Sequence, residues 1–335
     1  MGSVFWNRED RRLRAFWRLL LNILIAILLY LVFSTISVLF IPNSSPVSGD
    51  TPQVAIPALI APTIQASVII LSVWIAGRIL DHRPFADFGF HFKPRWWADF
   101  AFGLALGGVL MALIFAIELS AGWVEVTQRL ERPSEQSPFL LGMLGQFYFF
   151  LLVGIYEELF SRGYQLRNIA EGLNLPRFGP RLGLLLGYLL SSMVFGTLHI
   201  FNPNASFVST FNIVLAGLFL GLGLILTGEL AIPIGLHISW NFFQGNIFGF
   251  PVSGTGHQYS LLGIRQAGPD LWTGGAFGPE AGLVGLLAIF IGSLLIIAWV
   301  RIVHGEARLE RDVAEYAPPF REGEMETAGD RNIMG

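Results

Sequence analysis

The chain has 335 residues, of which 53% are hydrophobic and 13% charged, and that charged share is about half of what a soluble globular protein carries. Together with a mean hydropathy of +0.59, this excludes an ordinary soluble enzyme and a disordered regulator, and it points to an all-α polytopic membrane protein. A net charge of −3 leaves no nucleic-acid footprint, and the absence of cysteine removes disulfides, thiolate metal sites and a cysteine nucleophile.

Hydropathy predicts a bundle of about eight transmembrane helices, at roughly 19–41, 55–80, 98–122, 139–160, 182–200, 207–227, 230–250 and 282–303. A basic segment with Arg8, Arg11, Arg12, Arg14 and Arg18 precedes the first span. That span is too long for a signal h-region and no cleavage site follows it closely, so it reads as a retained anchor. Residues 81–97 mix aromatic and basic side chains and read as interfacial. Residues 251–281 form a glycine-rich loop suited to folding back over the membrane face. Residues 304–335 read as a polar, disordered tail. The domain reading is therefore a basic N-terminus at 1–18, a helical bundle at 19–303 and a tail at 304–335.

Basic residues orient membrane helices, because loops rich in Lys and Arg stay cytoplasmic. Residues 78–97 and 161–181 carry four basic residues each, whereas 42–54 and 201–206 carry none and 251–281 carry only Arg265. The pattern predicts a multi-pass protein of a plasma or inner membrane with both termini cytoplasmic.

Ionisable groups inside spans cost free energy and usually face the bundle interior. On the fourth span, Glu158 and Arg162 stand at i and i+4, the favoured order for an ion pair. Glu157, about 100° away, is left for acid–base work or for an interfacial bridge. Phe195 and His199 share a face of the fifth span, and His237 and Asn241 share a face of the seventh. Each pair alone has a structural explanation: a helix-end histidine, or an interhelical hydrogen bond. Jointly they form a hydrolytic set. A carboxylate can deprotonate water, imidazoles can orient that water or protonate a leaving amine, and an amide N–H can hold an oxyanion.

Glu157-Glu158-x-x-x-Arg162, Phe195-x-x-x-His199 and His237-x-x-x-Asn241, in this order on apolar spans, resemble the CPBP (Abi, CAAX-protease) family of intramembrane endopeptidases. Its eukaryotic type removes the last three residues of prenylated CAAX proteins. The likeness covers roughly residues 139–250. It implies Glu157 as the water-activating base, completed by Glu158 and Arg162. It further implies His199 and His237 as partners, Phe195 in support and Asn241 as the oxyanion donor. The implied substrate is a peptide or protein in or at the lipid bilayer, prenylated in the eukaryotic type. The family is described both as metalloproteases, in which case His199, His237 and Glu157 would hold zinc with one position open, and as metal-free glutamate proteases.

One geometric condition follows. His199 lies 18 residues past Arg181, about 27 Å along a helix, while Glu157 stands near the other end of its span. The two meet if the fourth helix runs on beyond residue 160, if the fifth starts above the bilayer, or if the chamber is deep; the apolar stripe of Tyr164, Leu166 and Ile169 favours the first. Two other functions remain open to the sequence: a proton or ion relay built from the same groups, and an immunity or scaffold protein.

Overall fold

The computed structural model describes residues 4–40, 56–177 and 179–316. A small hairpin of β1 (Trp6–Asn7) and β2 (Arg12–Leu13) leads into α1 (Ala15–Phe40), followed by α2 (Ile56–Ala76) and α3 (Pro94–Ser120). Pro94 sits at the start of α3, where its missing N–H has no intrahelical partner to lose. Strand β3 (Val124–Glu131) comes next, then α4 (Phe139–Glu158), a π-helical stretch (Leu159–Leu166) and α5 (Arg167–Leu173). These last three make one continuous 35-residue helical run. Helices α6 (Gly179–Leu198), α7 (Phe207–Thr227) and α8 (Ala231–Phe242) complete the motif region. A π-turn (Phe243–Ile247), strand β4 (Ser260–Gln266), the single turn α9 (Asp270–Thr273) and α10 (Leu283–His304) follow.

Seven of these helices are long and apolar enough to cross a membrane, and their outward faces carry exposed Leu, Ile, Val and Phe. The chain is a multi-pass integral membrane protein. The eighth predicted span, 230–250, is α8, which is only 12 residues long. Every residue from Ala231 to Trp240 is buried, so its apolar character belongs to an interior helix and not to a lipid-facing one.

Helix α8 is the axis of the bundle, with α3, α4 and α7 packed around it. Glycines permit the close approach. A Cβ on Gly103 of α3 would lie 2.5 Å from the Ile232 carbonyl oxygen, and one on Gly154 of α4 would lie 2.5 Å from Ile238 Cγ1.

The two ends of the bundle differ in chemistry. At one, the arginine end, Glu171 of α5 accepts hydrogen bonds from Arg12 (2.8 Å), Arg18 (3.0 Å) and Arg83. Arg18 also pairs with Asp81, and the Arg12 guanidinium lies 3.4 Å over the Tyr316 ring. The polar tail expected from residue 304 does not begin there. Residues up to Tyr316 are packed: Val313 and Ala314 are 1% exposed, the Glu310 N–H donates to Ile225 O (2.8 Å), and Asn174 Nδ2 donates to Ala314 O (3.1 Å). Two small apolar residues and satisfied backbone groups hold this strap although its composition is polar. Residues 317–335 of the expected tail, and the 41–55 connection, lie outside the described residues.

At the other, the loop end, β3 pairs antiparallel with β4, from Val124 opposite Gln266 to Glu131 opposite Ser260, with a shift between Val126 and Gln128. The loop following α8 folds back onto the bundle, where Val252, Ser253 and Thr255 line the central cavity. Gly254 has φ +82° and donates to Phe277 O (2.7 Å).

Candidate active site

The first motif lies where α4 passes into its π-helical stretch. Glu158 is the last residue of α4 and is fully buried. Its Oε1 accepts from Arg162 Nη1 at 2.9 Å and from His237 Nδ1 at 2.7 Å. Arg162, 1% exposed, spends its other terminal nitrogen on the Gly217 carbonyl (3.1 Å). The Glu158–Arg162 pair expected from spacing is present and also reaches a third helix. Glu157 turns the other way. Its side chain is 24% exposed, and its Oε2 lies 3.9 Å from His237 Nε2.

Both imidazoles are oriented by a group that can only accept. His237 Nδ1 meets the Glu158 carboxylate, and His199 Nδ1 meets the Phe195 carbonyl oxygen at 2.7 Å. Each Nδ1 therefore carries the proton, which leaves Nε2 for the space in front. Phe195 links the motifs. Its ring lies under the Arg162 guanidinium (4.2 Å) and against the rings of His199 (4.7 Å) and His237 (6.3 Å). Asn241, one turn beyond His237, is half-buried, and its side chain makes no hydrogen bond among the described residues.

Glu157, Phe195, His199, His237 and Asn241 line one cavity of about 210 Å³. Glu158 and Arg162 do not line it. They stand behind His237 and fix its ring. The helical run does continue past residue 160, from α4 through the π-stretch and α5 to Leu173, the first of the arrangements that the sequence allowed.

Residues 139–243, about a third of the chain, match the family described as type II CAAX prenyl endopeptidase Rce1-like. The resemblance read from the motifs holds over this segment. All three motifs fall inside it. No curated protein and no solved structure matches the chain.

The CAAX-protease-like segment does not supply the whole cavity. Val252, Ser253, Thr255 and Glu280 of the loop and Ile289 of α10 also line it; the sequence did not mark the loop residues because nothing in a loop sequence tells which residues return to a distant site. Glu280 clamps the loop: its Oε1 accepts from the Ser253 N–H (2.6 Å), and its Oε2 accepts from Gln244 Nε2. Burial pushes its carboxyl up to about 7, against the pull of these donors. From the other side, Asn202 Nδ2 donates to Ser253 O (3.0 Å).

The donor types at the cavity suit zinc, namely two Nε2 lone pairs and a carboxylate. Their placement does not. Among the described residues no three His, Asp or Glu side chains are gathered so as to hold one ion.

Proposed function

We propose that the chain is an intramembrane endopeptidase that hydrolyses a peptide bond with a water activated by Glu157. The observation that carries this reading is the meeting of three motifs, from α4, α6 and α8, on one cavity. Glu157 is a half-buried carboxylate on that cavity, beside His237. It takes a proton from water, and the resulting hydroxide attacks the peptide carbonyl carbon. The Asn241 amide donates to the oxygen that becomes negative. His199 and His237 present Nε2 to the same space and orient the water. The proton held by Glu157 then passes to the leaving amine as the C–N bond breaks. Glu158 and Arg162 are positioning residues. They keep the His237 Nδ1 proton in place, so that Nε2 faces Glu157.

The apolar wall, with Phe149, Phe150, Val153, Phe219 and Leu220, suits apolar side chains or a lipid-modified residue beside the scissile bond. The test is cleavage of a membrane-anchored peptide library by the purified chain. Glu157→Gln keeps the shape of the side chain and removes the base, so the rate falls by about 10²–10⁴ with the melting temperature unchanged. Chelation leaves the parental rate in place. Cleavage by Glu157→Gln at the parental rate sinks the proposal.

A further inference from the structure

We propose that the cavity takes its peptide from the non-cytoplasmic side of the membrane. This deepens the endopeptidase reading, and rests on it, by naming the substrate class: an exported or outward-facing membrane-anchored segment.

The first observation is where the cavity lies. Beyond Tyr156 and the motif residues Glu157, His199, His237 and Asn241, its polar lining is Asn202, Ser253, Thr255 and Glu280. All four belong to connections at the loop end of the bundle, after α6 or between α8 and α10. No residue of the arginine-end connections lines it. Thr255 at its lip is exposed.

The second observation is that the route from the arginine end is closed. Behind His237 stand Glu158 and Arg162, at 0% and 1% exposure, and beneath them Leu159, Tyr164 and Leu166 are each 0% exposed. Gly163 is packed so closely that a Cβ there would lie 2.9 Å from Phe88 O. The Glu171 cluster and the strap ending at Tyr316 lie at the end of the bundle below that layer. A peptide arriving from this end would have to part a buried ion pair and an apolar plug.

The third observation is charge. Of the Lys and Arg among the described residues, Arg129, Arg132 and Arg265 are at the loop end, Arg162 is in the middle, and every other one is at the arginine end. Basic residues in short connections are what set the orientation of a helical membrane protein, and they stay on the cytoplasmic side. The arginine end is then cytoplasmic, and the open end of the cavity faces away from the cytoplasm. A prenylated C-terminus made in the cytosol would meet the sealed side. A segment that has already been translocated would meet Asn202, Ser253 and Thr255.

The chain has no cysteine, so introduced thiols report cleanly. Thr255→Cys and Gln258→Cys mark the loop end and Glu306→Cys the arginine end, all at exposed positions. Intact cells expressing each full-length variant are treated with a membrane-impermeant maleimide, before and after permeabilisation. The expected result is complete labelling of the first two in intact cells, with Glu306→Cys labelled only after permeabilisation. The reverse pattern, or equal labelling of both ends, overturns the proposal. Gln258→Cys carries the measurement if Thr255→Cys does not accumulate.

In parallel, a single-span reporter carries the cleaved peptide on one or the other side of the membrane, with Glu157→Gln as the inactive control. Cleavage confined to the non-cytoplasmic reporter supports the proposal, and cleavage confined to the cytoplasmic one overturns it. If neither reporter is cut while the thiols label as expected, the endopeptidase reading fails and the placement of the cavity stands.

Discussion

A single oxygen atom, Glu158 Oε1, ties two motifs together, since Arg162 and His237 both donate to it. Removing one member of a buried ion pair leaves the other charge uncompensated, at a cost of about 3–5 kcal/mol. Glu158→Gln should therefore lower the melting temperature in detergent and lower kcat through loss of His237 orientation, with little change in KM. Arg162→Lys should not rescue function. Lysine cannot bridge Glu158 and the Gly217 carbonyl while lying flat on the Phe195 ring. An Arg162→Lys enzyme with parental kcat and melting temperature would show that the guanidinium plane has no role.

At the scale of elements, the centre of the molecule depends on how closely α3 and α8 approach. A Cβ on Gly235 would press on the Phe100 carbonyl oxygen, and one on Gly103 would press on the backbone of Ile232. Gly235→Ala overpacks this contact and is expected to destabilise by about 1–3 kcal/mol, read as a lower melting temperature. Gly256→Ala, whose Cβ would meet nothing within 4 Å, should leave it unchanged.

This scale also shows what the sequence carries. The spans were legible because each is a long apolar run, and the Glu158–Arg162 pair was legible because i, i+4 spacing is local. Helix α8 read as a crossing because hydropathy does not distinguish burial in protein from burial in lipid. Strand β3 was missed because most of its residues are exposed, which removes the alternation that marks a half-buried strand. Glu280 and Ser253 were missed because their partners lie across a long loop. The π-stretch after Glu158 leaves no compositional mark, yet Arg162 is placed within it.

For the whole molecule, the two ends respond differently to pH. The arginine end is held by guanidinium–carboxylate pairs around Glu171. The loop end hangs on Glu280, whose carboxyl is raised by burial from the ordinary 4.5 to about 7. The folded state keeps a proton there that the unfolded chain has released. The stabilisation is complete below the unfolded value and is lost as the pH rises through the folded one. The melting temperature should therefore fall between about pH 5 and pH 8, and Glu280→Gln should flatten that slope. Identical slopes for the parent and Glu280→Gln would remove Glu280 as its origin.

The cluster on Glu171 also sets an order of events during synthesis. Arg12 and Glu171 are 159 residues apart in the chain. At roughly 5–20 residues per second, Arg12 of the N-terminal hairpin waits on the order of 8–30 s for this acceptor. Until then it has only nearby acids, lipid phosphate and water to face. Tyr316, which closes over Arg12, is made nearly as long again after Glu171. A ribosome that stalls before α5 leaves Arg12 with Asp10 and Arg18 with Asp81, but without the carboxylate that gathers them with Arg83 into one cluster.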